Sequence, residues 1–453
     1  MTPTSLLTVT LALLVQKSFS YDFQSKSEGN GTTESKVIRR DSARYFIDLE
    51  IGSNHSPVAV ALDTGSTDFW IPNAFYPDCT TYSCSQYGYF DGLDSSTFTN
   101  GTYPYYSAYS DGSTLEGVYV EDYIYFEGSE LKKVTFGMSY NATNANGIMG
   151  LGPVEGSSSY TTSNGSDIVP TFPMALKDNG VIDKAAHFLA LADKSSASIL
   201  FGGVDHGRYT GDLAIVPMVN PFKDFYPDIF PDIGPLMPVT LNSRDVYDAE
   251  NEILNQFSDA LNITLPDSNT DESFPVVQCS EYTDYHLTFN FQGYEISVPF
   301  SKFLVTDDAE SDTCYVIIHK SDEPASSLGL SFFSSVYVVF DLESQVIGLA
   351  PLNTDPSYRA DIEAITDSIP FGTTVPGYSA TQSYWPLQIS TIKIDAESKT
   401  TKLNSLEPNS LFFNANATYG GNAGATFGLS VGSMLIGLSV LCCVFKSLIQ
   451  AIV

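Results

Sequence analysis

Val58-Ala59-Val60-Ala61-Leu62-Asp63-Thr64-Gly65-Ser66-Thr67-Asp68-Phe69-Trp70-Ile71-Pro72 decides how this chain folds. An apolar run enters a tight Asp-Thr-Gly turn, and a second apolar run leaves it, with Trp70 seven residues after Asp63. Short, unbroken apolar runs bounded by turn residues are the pattern of buried strands. A carboxylate on such a turn can be held by backbone and hydroxyl donors without a metal. Two of them facing each other share one proton and activate a water, because like charges so close cannot both ionise.

Working outward, residues 44–352 read as short strands split by Gly, Asn, Ser and Pro, among them 44–51, 58–62, 117–126, 199–202, 286–292 and 336–340. Helical spacing appears in two windows, 172–179 and 250–262. The chain has 27 Tyr and 29 Phe, residues that favour strands over helices. With 453 residues there is material for two lobes, each with its own core. The expected fold class is all-β, two-lobed, with a few short helices.

The net charge of -32 disfavours nucleic acid as a partner, because an acidic surface repels phosphate. The same charge fits a secreted acidic surface or work at low pH, where carboxylates protonate and self-repulsion falls. Five scattered histidines (55, 187, 206, 286, 319) and no His/Cys spacing give no metal site, and no cofactor is expected.

The termini point to the secretory pathway. Residues 1–20 hold an apolar run of signal-peptide length followed by Ser18-Phe19-Ser20. Residues 21–40 are polar and end in Arg39-Arg40, which reads as a pro-segment with the mature chain starting near Asp41. Seven Asn-x-Ser/Thr sequons, at Asn30, Asn54, Asn100, Asn141, Asn164, Asn262 and Asn416, suit glycosylation on the surface. Proximity suggests disulfides Cys79–Cys84 and Cys279–Cys314, one of three connectivities open to four cysteines. Residues 354–426, rich in Ser, Thr, Asn and Pro, read as a stalk. Small residues at 420–425 precede an apolar tail at 427–453, the pattern of a glycolipid anchor with attachment at Asn422. The alternative is a transmembrane helix, although Lys446 sits within the tail.

Several segments together resemble the pepsin-like aspartic proteases. Asp63-Thr64-Gly65-Ser66 with Trp70 looks like the family's first active-site loop. Tyr109-Ser110-Asp111-Gly112-Ser113 followed by Gly117 is similar to its flap, where Tyr109 closes over substrate with Trp70 as hydrogen-bonding neighbour. Gly147-Ile148-Met149-Gly150-Leu151-Gly152, residues 199–213, and residues 335–342 with 347–350 resemble the family's remaining strand signatures, in order. With the signal, dibasic pair and anchor, the likeness narrows to fungal yapsins and anchored candidapepsins. The resemblance implies a pepsin-like fold with lobes at about 41–205 and 206–353 and a cleft between them. It further implies that Asp63 is catalytic, that Thr64, Gly65, Ser66 and Trp70 support the turn, and that a protein or peptide substrate is cleaved at acid pH. A monomer is expected.

The family needs a second Asp-Thr/Ser-Gly, and this chain contains none. Three alignments compete. Residues 239–244 are the loop, with Asn242 for Asp and Arg244 for Gly; or 246–250 are, with Asp248 kept and Glu250 for Gly; or 239–246 are the preceding strand and the loop is lost before Tyr247. The third is favoured, because the helical window at Glu250 follows too soon to leave room for a turn. Arg or Glu at the turn Gly would be strained, and an amide cannot act as a general base. Asp232-Ile233-Gly234 lies among prolines that argue against a buried strand. The rival readings are an acid endopeptidase, a non-cutting peptide binder and an anchored cell-wall glycoprotein.

Overall fold

The computed structural model describes residues 31–39, 44–74, 84–101, 103–109, 113–143, 146–159, 168–191, 197–218, 245–247, 263–264, 274–291, 293–306, 311–320, 328–376, 387–393 and 401–405. The first lobe is an eight-stranded sheet. Its strands are β2 (Ile38–Arg39), β3 (Tyr45–Ile51), β4 (Ser56–Asp63), β5 (Phe69–Pro72), β6 (Pro104–Ala108), β7 (Thr114–Phe126), β8 (Ser129–Ala142) and β9 (Gly147–Gly150). They lie in the order β2-β3-β4-β9-β5-β8-β7-β6. The long hairpin of β7 and β8 alternates buried and open positions, as a sheet with one wet face requires. By contrast, Val58–Leu62 of β4 and all of β5 and β9 are buried, because neighbouring elements cover both faces.

A seven-stranded sheet draws on both halves of the chain. Its strands are β1 (Thr33–Lys36), β10 (Ala186–Ala190), β11 (Ser198–Phe201), β13 (Leu213–Pro217), β21 (Val336–Asp341), β22 (Val346–Pro351) and β24 (Gly372–Thr374). The order is β1-β11-β10-β21-β22-β13-β24. The remaining strands make the second lobe and its trimmings. β14 (Asp245–Tyr247) pairs with β20 (Ile318–Lys320). β15 (Val276–Gln278), β19 (Thr313–Val316) and β18 (Leu304–Val305) form a small sheet. β16 (Tyr285–Phe291) and β17 (Tyr294–Pro299) join β25 (Leu387–Lys393) and β26 (Thr401–Ser405). β12 (Gly203–Asp205) pairs with β23 (Ile362–Ala364).

The helix Phe172–Asp178 lies in the first helical window, with Pro173 in its first turn. Phe172 stands edge-on to Phe69, Phe126 and Phe201 at 5.4–5.8 Å, so one side chain ties the first lobe to the seven-stranded sheet. Each such buried ring stabilises the fold by about 1.5–3 kcal/mol through burial alone. The second helical window, 250–262, lies outside the described residues.

Two segments that the sequence reading set apart from the protease body pair with it. Residues 33–39, assigned there to a removed pro-segment, form β1 and β2 within the two large sheets. Residues 354–376, assigned to a stalk, fold back onto the body. β24 runs parallel to β13, and Ile365, Ile369 and Val375 are 0, 5 and 4% exposed. Their polar composition hides this, because the few apolar side chains are spaced irregularly and gain burial only from the sheet they meet. β25 and β26, further into the same stretch, extend β16. A buried ion pair locks the first part of the wrap. Lys184 Nζ lies 2.9 Å from Asp341 Oδ2, donates to Ser344 Oγ at 2.6 Å and bonds the Asp367 carbonyl.

Candidate active site

Asp63 ends β4, and its turn is held from below by the Gly147–Gly152 segment. Leu151 N donates to Asp63 O at 2.8 Å, Gly152 N to Ser66 O at 2.8 Å and Gly150 N to Asp68 O at 3.0 Å. The glycines are what allow this approach. A Cβ on Gly150 would lie 2.3 Å from the carbonyl carbon of Thr67, and one on Gly152 would lie 2.8 Å from Thr67 Oγ1. Thr67 Oγ1 adds a bond to Pro153 O at 2.9 Å. Gly65 N donates to Asp63 Oδ1 at 2.8 Å, so the turn itself orients the carboxylate. Thr64 and Ser66 are buried, and Ser66 Oγ has no hydrogen-bond partner among the described residues.

The hairpin of β6 and β7 lies over this turn. Tyr109 N donates to Ser113 O at 2.8 Å, closing the hairpin, whose tip (110–112) lies outside the described residues. Trp70, fully buried on β5, donates from Nε1 to Tyr109 Oη at 2.8 Å. Desolvation raises the Tyr109 pKa, and the Asp63 charge raises it further, so the hydroxyl stays protonated and available as a donor.

Asp68, five residues beyond Asp63, is a part of the site that the sequence reading passed over. Its side chain is buried, accepting from Tyr119 Oη on β7 at 2.8 Å and from Ser158 N at 2.9 Å. Burial pushes its pKa up from 3.8 to about 6, against the Ser158 and Tyr119 hydrogen bonds, which pull it down. Asp68 therefore pins the active-site turn to the flap strand and to residues 157–159, and it gains a proton in mild acid. The visible signal was a charged residue directly before the apolar run Phe69-Trp70-Ile71.

The other site candidates divide by where they fall. Cys279 and Cys314 are joined as a disulfide. The Cys79 and Cys84 side chains lie outside the described residues. Asn54, Asn100 and Asn141 are exposed; Asn30, Asn164, Asn262, Asn416 and Asn422 are outside the described residues, as are Asp232, Asn242, Arg244 and Asp248. Aspartic hydrolysis needs one carboxylate to take a proton from water and another group to protonate the substrate carbonyl. Asp63 is the candidate for one of these roles.

Comparison with known proteins fits this geometry. The family profile for eukaryotic aspartyl protease matches residues 44–230 and 245–352. The chain is 30% identical to aspartic proteinase yapsin-3 of Saccharomyces cerevisiae, over 80% of this chain and 76% of that protein. It is 29% identical to candidapepsin of Candida tropicalis (73% of this chain, 84% of the relative) and 27% to barrierpepsin of Saccharomyces cerevisiae (73% and 64%). With its Asp63 turn cradled by Gly147–Gly152 beneath a Trp70–Tyr109 flap in a two-lobed, pepsin-like β fold, this chain belongs to the eukaryotic aspartyl protease family.

Proposed function

We propose that this protein is a cell-surface member of the aspartic protease family that takes extended polypeptide between its lobes but, with the sequence it has, does not hydrolyse it. The observation that carries this reading is the break in the family match at residues 231–244, where a second active-site turn belongs. Strand topology supports it. β5 runs parallel to β8 through Trp70↔Gly137, and β14 runs parallel to β20 through Asp245↔Ile318. Each partner strand lies shortly before a buried apolar residue and a glycine, Met149-Gly150 in one case and Leu328-Gly329 in the other. On that correspondence the second turn belongs just upstream of β14, where residues 239–244 carry no carboxylate. Asp248 falls downstream of β14, whereas Asp63 stands upstream of β5.

The secreted ectodomain, assayed from pH 3 to 6 on denatured globin, should match a buffer blank. Cleavage abolished by Asp63→Asn would overturn the reading and make Asp248 the leading partner. Loss of a dyad member costs several orders of magnitude, so the two outcomes separate cleanly. A transcript encoding an Asp-Thr/Ser-Gly between residues 220 and 260 would restore the endopeptidase reading. Attachment through a glycolipid at Asn422 is part of the proposal. A phospholipase specific for phosphatidylinositol should release a protein ending near Asn422, and recovery of peptides beyond Ala425 from the membrane-bound form would favour a spanning helix.

A further inference from the structure

The stretch upstream of Arg39-Arg40 is a working part of two sheets. β1 pairs antiparallel with β11 from Thr33↔Phe201 to Lys36↔Ser198. Thr33, Ser35 and Val37 are 3, 4 and 4% exposed, while Glu34 and Lys36 face solvent, the alternation of a half-buried strand. Val37 N donates to Ala197 O at 3.0 Å, and Asp183 N donates to Gly31 O at 3.3 Å. The Val37 side chain belongs to the main hydrophobic core. Two residues on, the chain crosses to the other sheet, pairing Ile38 with Phe46 and Arg39 with Tyr45. Residues 31–39 thus lace the seven-stranded sheet to the first lobe.

A chain beginning at Asp41 could not rebuild this. Only residues 41–44 precede β3, and four extended residues span about 14 Å. They would have to reach from Tyr45 to β11 and then supply four paired residues. The β11 edge would be left open, with unpaired backbone groups and the Val37 site empty. The opposite edge of the same sheet is closed by β24, so the cut would open one side of an otherwise covered sheet.

We infer that residues 31–39 are a permanent part of the mature protein, that its N-terminus lies upstream of Gly31, and that Arg39-Arg40 is not its maturation site. A processing protease binds several residues on each side of the bond it cuts as an extended strand. On the N-terminal side of Arg40 those residues are already committed to β11 and β3. The Asn30 sequon, next to Gly31, would then stay with the mature chain and report on it.

The test is secretion of the full chain from a host that processes dibasic sites, followed by N-terminal sequencing and denaturing intact-mass analysis after deglycosylation. The expected N-terminus falls between Tyr21 and Gly31. A peptide carrying Asn30 should be recovered in the same molar amount as peptides from residues 44–74. The variant Arg39→Ala with Arg40→Ala should have the same N-terminus and secreted yield. An N-terminus at Asp41 with residues 31–39 gone would overturn the inference. So would a cut after Arg40 with the fragment still bound, seen as two species by denaturing analysis and one by native mass spectrometry.

Discussion

His187 should make this protein less stable at acid pH, and one substitution should remove the effect. It lies on β10, fully buried in the seven-stranded sheet, stacked on Phe340 at 4.9 Å and tilted against Phe201 at 6.4 Å. Neither ring nitrogen has a hydrogen-bond partner among the described residues. Burial alone lowers its pKa from 6.5 to about 3. The sign follows from proton binding: below pH 6.5 the unfolded chain takes a proton that the folded chain refuses. The full stability contribution is present above pH 6.5 and drains away as pH falls toward 3. Each pH unit in that window costs about 1.4 kcal/mol, so the loss is about 2.7 kcal/mol at pH 4.5. Against a typical domain stability of about 5–15 kcal/mol this is a large fraction. His187→Met keeps similar volume without a titrating group. Urea unfolding of the secreted protein at pH 7.5, 6.0 and 4.5 should show the variant gaining about 2.7 kcal/mol on wild type between the first and last pH. All other titrating groups are common to both proteins and cancel. Parallel stability curves would refute the reasoning, and would mean that the folded chain protonates His187 after all.

Asp68 should act with the opposite sign: its folded pKa near 6 exceeds its unfolded 3.8, so its contribution is complete below pH 4 and is lost as pH rises through 6, about 3 kcal/mol in all. Asp68→Asn should therefore gain up to about that much relative to wild type between pH 3.5 and 7, read by the same unfolding series. Lys184→Met strands the Asp341 carboxylate, both groups being almost fully buried, and should cost about 3–5 kcal/mol by thermal unfolding, with Asp341→Leu added to it restoring much of the loss. Gly150→Ala forces a methyl to within 2.3 Å of the Thr67 carbonyl carbon and should cost about 1–3 kcal/mol while quenching or shifting the Trp70 fluorescence as the turn moves.

The stretch from Val58 to Pro72 was legible because its information is local. Unbroken apolar runs on either side of Asp-Thr-Gly specify buried strands and a turn whatever surrounds them, and the Gly147–Gly152 segment carries the glycines that let that turn be approached. The all-β class, the helix at Phe172 and the candidate carboxylate Asp63 follow from such signals. The edge strands do not. Thr33, Ser35 and Val37 on one side of the seven-stranded sheet, and Ile365, Ile369 and Val375 on the other, sit in polar stretches with little periodicity. Their burial is conferred by β11 and β13, which lie far from them along the chain, so composition alone assigned them to a pro-segment and a stalk. Asp68 and His187 were barely readable: the one signal for Asp68 was its place directly before the apolar run Phe69-Trp70-Ile71, and a lone His looks like an ordinary surface residue until packing removes its water. Desolvation is a property of the assembled fold. It turned these two side chains into titrating groups of opposite sign, and no spacing along the chain could have announced it.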